Sequence, residues 1–269
     1  MGINKNSTGF TFGFAIVMVV VVGSILAFLS ISLKDLQNKN AADKKMMDIL
    51  GAIQVDATRA NAADMFEKYV KERIAIDFDG NVLRTANGKV DPKDKKDPFN
   101  IDTKKDYKNE IKRVVKTSSD EAAYASSMEE LGLEFAVYRC EVDNKAYFVV
   151  PMVGTGLWGP IWGYVSVEDD METIYGAKFD HQGETPGLGA EIKESDFQKQ
   201  FVSKKLNTAN TNDPMFVVKK AGQPDGDYKV DGITGGTITS KGVEEMMDRT
   251  FDIYTDYFKT VNQKTSQLR

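Results

Sequence analysis

The chain has a single cysteine and a single histidine in 269 residues, and these two shortages exclude much. Cys140 has no partner, so neither an intrachain disulfide framework nor a cysteine metal cluster can form. His181 alone would have to serve any histidine metal site or Ser-His-Asp arrangement, which argues against a serine or threonine hydrolase. Positive charge is in deficit: 35 Lys and Arg stand against 40 Asp and Glu, a net charge of −5, and no basic stripe carries interleaved aromatics. Nucleic acid is therefore not expected as a partner. Charge of either sign is missing between Lys5 and Lys34, where Phe10 to Leu33 is dominated by Val, Ile, Leu, Phe and Ala. That run exceeds both the ~20 residues needed to cross a bilayer core and the about 7–15 apolar residues of a cleaved signal peptide. It is read as a transmembrane helix, an anchor over residues 1–34 ahead of a globular domain over 35–269. Lysines are more numerous after the span than before it, which favours a cytoplasmic C-terminal side, but long domains cross membranes largely regardless of flanking charge.

What is present suits one sizeable core, with 41% hydrophobic and 28% charged residues. Leu36, Met46, Met47, Leu50 and Ile53 continue the first helix as a stalk, and Asn61 to Arg73 reads as a second, short helix. A hairpin is expected around Asp79-Gly80, with strands over 74–83. Residues 85–112, rich in Lys, Asp, Asn and Pro, read as a solvated surface insertion with one helical turn. Residues 133–140 and 146–151 flank Asp143-Asn144-Lys145 as a second hairpin, and 161–167 and 173–179 add two strands in a meander. A short helix follows Ser195, then a strand over 215–219, a turn over Gly222 to Gly226, and a closing amphipathic helix over about 241–261.

Three motifs carry the chemistry. The first is Gly154-Thr155-Gly156-Leu157-Trp158-Gly159-Pro160, and the second is Gln182-Gly183-Glu184-Thr185-Pro186-Gly187-Leu188-Gly189. Glycine and proline at this density mark turns, with Thr185 a candidate N-cap before Pro186. The third is Asp231-Gly232-Ile233-Thr234-Gly235-Gly236-Thr237-Ile238-Thr239-Ser240. On spacing alone it is either a strand-to-helix turn capped by Thr239 or Ser240, or a phosphate site at a helix N-terminus.

The third motif resembles the flavinylation motif of FMN-binding domains that carry FMN as a phosphodiester on threonine. In that register the acceptor is Thr237, not Thr234 or Thr239, with Gly236 where the family usually has alanine. All three motifs, in order behind an N-terminal span, resemble the C-subunit family of sodium-translocating NADH:quinone reductases. The G subunit of Rnf-type ferredoxin:NAD oxidoreductases shares the FMN motif and stands as the alternative, and a non-redox membrane-anchored binding module is a further one. The resemblance implies a single-pass inner-membrane protein with a periplasmic α+β domain, built on a mainly antiparallel sheet with flanking helices. It implies covalent FMN, attached by a flavin transferase that uses FAD, and electron relay from an iron–sulfur centre to covalent FMN on the neighbouring B subunit, with the B, D and E subunits as partners. NADH and quinone would bind elsewhere in that complex. Cofactor contacts are expected from Asp231, Thr234, Gly235, Gly236 and Thr237, from Thr185, Gly187 and Leu188, and from Trp158 and Lys219. Trp158 has a sheet-edge anchor as its alternative role, and Lys219 has solvation of a strand end. Glu184 is read as a solvent-facing loop residue, with no acid–base role beside His181.

Overall fold

The uncharged run opens one continuous helix, α1 (Thr8–Ala52), in a computed structural model that describes residues 7–208, 213–220, 222–223 and 226–267, with side chains as far as 263. α1 is long and apolar enough to cross a membrane, and the side chains of its apolar stretch are exposed. The chain divides into two compact units, one ending at Asp43 and one beginning at Lys44.

In the second unit, α2 (Ala62–Tyr69) stops short of the expected Arg73, because Val70 to Arg73 enter strand β1 (Val70–Ile76) and pair with β3. Sheet pairing there overrides a weak helical pattern. β1 turns through Asp77 to Gly80 into β2 (Val82–Ala86), the hairpin read from the Asp-Gly signal.

The segment expected to be a solvated insertion is instead docked. A single 3₁₀ turn (Pro98–Asn100), α3 (Thr103–Asp106), a π-helical turn (Tyr107–Ile111) and α4 (Lys112–Thr117) bury Phe99, Tyr107, Ile111 and Val114. Its tether is a buried bidentate pair: Arg73 Nε donates to Asp97 Oδ1 at 2.8 Å and Nη2 to Oδ2 at 2.7 Å.

Helix α5 (Glu121–Leu131) is capped by Asp120, which accepts from Ala123 N–H at 2.8 Å, and ends on Gly132 in the left-handed region. β3 (Phe135–Val142) and β4 (Lys145–Thr155) are joined by Asp143 and Asn144 at φ 49° and 62°, the two positive values of a type I′ turn. β5 (Pro160–Val167) and β6 (Ile174–His181) complete an antiparallel six-stranded sheet of order β2-β1-β3-β4-β5-β6. The meander over β3 to β6 is as read from the sequence. After α6 (Ser195–Gln198), β7 (Val217–Lys219) and β8 (Lys229–Asp231) pair in parallel, and the turn expected at Gly222 to Gly226 lies partly outside the described residues. α7 (Thr237–Gln267) closes the fold.

Strand alternation sorts the sheet into two faces. Phe135, Val137, Phe148, Val150 and Val165 meet Val243, Met247, Phe251, Tyr254 and Phe258 of α7 in the main core. The apolar stripe of α7 is thus core. On the other face, Tyr138 packs edge-on with Phe66, which does the same with Phe99, while Ser166 Oγ donates to Ala52 O at 2.6 Å. Helices cover both faces, an α+β arrangement.

Candidate functional site

Three loops converge at the end of the sheet where β4 stops, β5 starts and β6 stops. Thr155 pairs with Pro160, and Gly156 N–H donates to Gly159 O at 2.8 Å, so Leu157 and Trp158 form the tip of a tight hairpin loop. Ile161 pairs with His181, and Gln182 N–H donates to Pro160 O, which starts the second loop beside the first. In the second loop Leu188 N–H donates to Thr185 O at 3.1 Å across Pro186-Gly187, with Gly187 at φ 76°. This is a β-turn with proline second and a positive-φ glycine third. Thr185 is therefore the first residue of a turn and not an N-cap; the 3₁₀ helix Gly189–Lys193 begins after Leu188.

The third loop leaves β8. Gly232 N–H donates to Lys219 O at 2.7 Å, Ile233 N–H to Ser240 Oγ at 2.9 Å, and Gly236 N–H to Ile233 O at 2.9 Å, with Gly235 at φ 76°. α7 begins at Thr237, four residues before the expected Lys241. Thr239 and Ser240 thus lie inside its first turn, neither being the N-cap; Ser240 N–H closes the turn on Gly236 O at 2.9 Å.

The largest departure from sequence reading is Glu184. It is 5% exposed, not solvent-facing. Its Oε1 accepts Trp158 N–H at 2.8 Å and its Oε2 accepts the Thr239 hydroxyl at 2.6 Å, while its own N–H donates to His181 Nδ1 at 3.1 Å. One side chain therefore touches all three loops. Nδ1 of His181 thus serves as an acceptor, and its Nε2 is buried without a partner among the described residues. The signal for Glu184 in the sequence is its place in a glycine-rich motif, which turn chemistry also explains.

Around this junction stand exposed apolar side chains: Leu157 (50%), Trp158 (68%), Leu188 (41%) and Ile238 (57%). Trp158 is therefore no sheet-edge anchor. Thr185, Gly187, Thr234, Gly235 and Thr237 are exposed too, whereas Gly236 and Thr239 are buried. The loops touch closely, since a Cβ on Gly235 would stand 2.6 Å from Leu188 Cδ2. A Cβ on Gly236 would lie 3.0 Å from Ile233 Cγ2 and 3.3 Å from Gly189 N, so alanine there would need its neighbours to shift by a few tenths of an ångström.

Residues 156–252 match the FMN-binding domain family, a span that takes in all three loops. The C subunit of the Na(+)-translocating NADH-quinone reductase from Vibrio anguillarum is 31% identical, with 92% of each chain covered. The Haemophilus ducreyi C subunit is 30% identical over 90% of this chain and 88% of its own. The crystal structure of the C subunit from Parabacteroides distasonis superposes with a TM-score of 0.66 at 32% identity, covering 84% of this chain and 96% of that one. The chain belongs to the C-subunit family of the Na(+)-translocating NADH-quinone reductase.

The residues of this C-subunit homologue fit FMN. A hydroxyl is exposed at the first position of a helix, where N–H groups lack intrahelical acceptors and favour an anion. Exposed Trp, Leu and Ile side chains offer an apolar surface to a planar ring. Lys219 is 8% exposed and so does not solvate a strand end: its Nζ donates to Gln223 O at 2.6 Å and lies 3.5 Å from Asp231 Oδ1. Asp231 is further held through its backbone, its N–H donating to Gln200 Oε1 at 2.9 Å. Lys220, just past the end of β7, is exposed.

Proposed function

We propose that the chain carries FMN as a phosphodiester on Thr237 and relays electrons between redox centres of neighbouring subunits in a sodium-translocating NADH-quinone reductase. The observation that carries this reading is the orientation of the first turn of α7. Thr239 is 1% exposed and hydrogen-bonded inward to Glu184. Residues two apart on a helix point about 200° away from each other, so the inward Thr239 leaves Thr237 pointing outward, where it is exposed. Buried Thr239 is a poor acceptor, and Thr234 sits in the turn ahead of the helix.

When bound, the flavin supplies the redox chemistry, and the chain positions and tunes it. Leu157, Trp158, Leu188 and Ile238 would provide apolar contact, Thr185 and neighbouring N–H groups would provide hydrogen bonds, and the free N–H groups of the first α7 turn would favour the phosphate. Lys219, paired with Asp231, places a cation beside the β8 end of the site. Thr237 would supply the hydroxyl oxygen of the phosphodiester, with FAD as the FMN donor and AMP as the leaving group. The hydroxyl proton would go to a base supplied by the transferase, since Glu184 already accepts from Thr239 and Trp158.

The domain, 35–269, lies on the periplasmic side of the inner membrane behind the 1–34 anchor, against the B, D and E subunits. Expression with a flavin transferase should give a fluorescent band in denaturing gels and a flavin-bearing peptide that includes Thr237. Thr237→Ala should lose both, and expression without the transferase should give folded, colourless protein. Modification at Thr234 or Thr239, or self-flavinylation by FAD alone, would contradict the assignment. For the topology, protease added to spheroplasts should cut within 85–112, and protection that persists until the inner membrane is lysed, even after the complex dissociates, argues the reverse.

A further inference from the structure

Gly156 and Gly189 lie in the two loop motifs, yet neither has a positive φ. What each makes room for is the same carboxylate. A Cβ on Gly156 would stand 2.6 Å from Glu184 Oε1, and a Cβ on Gly189 would overlap Glu184 Oε2 and Thr239 Oγ1. Among the described residues Glu184 forms no ion pair; its two oxygens are met by the Trp158 N–H and the Thr239 hydroxyl. Burying an unpaired carboxylate is costly, and hydrogen bonds to a charged acceptor, each worth about 1.5–3 kcal/mol, offset that cost only while both donors stay in place.

We infer that Glu184 is a positioning residue for the flavin, an inference that rests on attachment at Thr237. Through Oε1 it holds the loop that presents Trp158 and Leu157. Through Oε2 it holds the first turn of α7, drawing Thr239 in and so turning Thr237 out. The separation between the ring-contact loop and the attachment hydroxyl is set by one side chain bridging the two. Geometry and not charge is what this role requires. Glutamine preserves it: the amide oxygen accepts from Trp158 N–H, and the amide NH₂ donates to the Thr239 oxygen, which accepts as readily as it donates. Alanine preserves neither link, and Thr239→Val removes only the helix arm while keeping the shape of the side chain.

The test uses the full chain expressed with a flavin transferase, as parent, Glu184→Gln, Glu184→Ala, Thr239→Val and the Glu184→Ala/Thr239→Val pair. Four readouts are taken: flavin content by intact mass, melting temperature, visible-region circular dichroism of the bound flavin, and its midpoint potential. Glu184→Gln should resemble the parent in dichroism and potential. Glu184→Ala and Thr239→Val should lose much of the induced dichroism per flavin and shift the potential toward that of free FMN. The pair should be no worse than Glu184→Ala, because the one link that Thr239→Val breaks is already lost with Glu184. If Glu184→Ala does not fold, Thr239→Val against Glu184→Gln decides. A melting temperature that falls while dichroism and potential stay at parent values reduces Glu184 to a stabilising residue and overturns the inference. Glu184→Gln behaving like Glu184→Ala overturns it as well. A parent without flavin at Thr237 overturns the function reading and this inference together, whereas a correctly flavinylated parent with unaffected variants sinks only the inference.

Discussion

Replacing Asp97 by alanine should cost about 3–5 kcal/mol of domain stability, the range for removing one partner of a buried ion pair. Arg73 is 1% exposed and Asp97 5%, so little solvent can take the place of the lost carboxylate. The guanidinium stays charged at any ordinary pH, and the substitution removes the acceptors of two of its hydrogen bonds, at 2.8 and 2.7 Å. Gly88 O at 2.8 Å and Asn87 O at 3.3 Å remain, and they solvate only part of the cation. Asp97 Oδ1 also accepts Phe99 N–H at 2.9 Å, so the 3₁₀ turn loses its cap as well. Net domain stabilities run about 5–15 kcal/mol, which makes this one change a large fraction of the total. The effect should reach the functional end of the sheet. The same docked segment carries Tyr107, whose hydroxyl is 3.0 Å from Thr155 Oγ1 at the base of the Trp158 loop and whose ring lies under Arg249 of α7. Urea unfolding of the full chain in detergent, followed by tryptophan fluorescence, measures the cost. Arg73→Met with Asp97→Leu should cost less than Asp97→Ala alone, because no charge is then left buried. An Asp97→Ala midpoint and slope matching the parent, or a pair as costly as the single change, would refute the reasoning.

Burial raises the Cys140 thiol far above the ordinary range, and the side chain is fully inaccessible. A thiol reagent should therefore label the native protein no faster than it unfolds, and rapid stoichiometric labelling would place Cys140 outside the strand core. Desolvation, partly opposed by Asp102, lowers Lys45 to about 8, although its Nζ donates to Ile101 O at 3.1 Å. The folded state then binds fewer protons than the unfolded state between pH 8 and the usual lysine range, so this group adds stability as pH rises through that window. Lys45→Met should flatten the rise in urea midpoint over that window, and an unchanged slope counts against it. Lys219→Met should lower the flavin's midpoint potential while exposed Lys220→Met leaves it unmoved. Asp231, 3.5 Å from Lys219, makes the shift smaller than a lone cation would produce, and equal potentials in both variants and the parent would remove Lys219 from the site.

The sequence by itself determined the features whose causes are local. An uncharged apolar run long enough for a bilayer specifies the first helix whatever surrounds it, and Asp143-Asn144 specify a hairpin because both tolerate positive φ. The alternation in 133–151 and 161–179 carried the meander, and the threonine motif carried the expectation, now a proposal, of attachment at Thr237. Tertiary structure alone decided which polar groups are buried, because burial depends on partners far along the chain. Asp97 looked like one more charge in a solvated run until Arg73, 24 residues earlier, closed on it. Glu184 looked like a loop carboxylate until Thr239, 55 residues later, donated to it. Lys219 likewise went inward because β7 pairs with β8 and brings Asp231 beside it. The start of α7 moved to Thr237 for the same reason: Ser240 Oγ accepts from Ile233 N–H and Thr239 bonds Glu184, so hydroxyls that sequence reading assigned to capping are spent on joining the helix to the loops. Composition and spacing say that a group is polar, but whether water or protein answers it is settled only when the chain has folded.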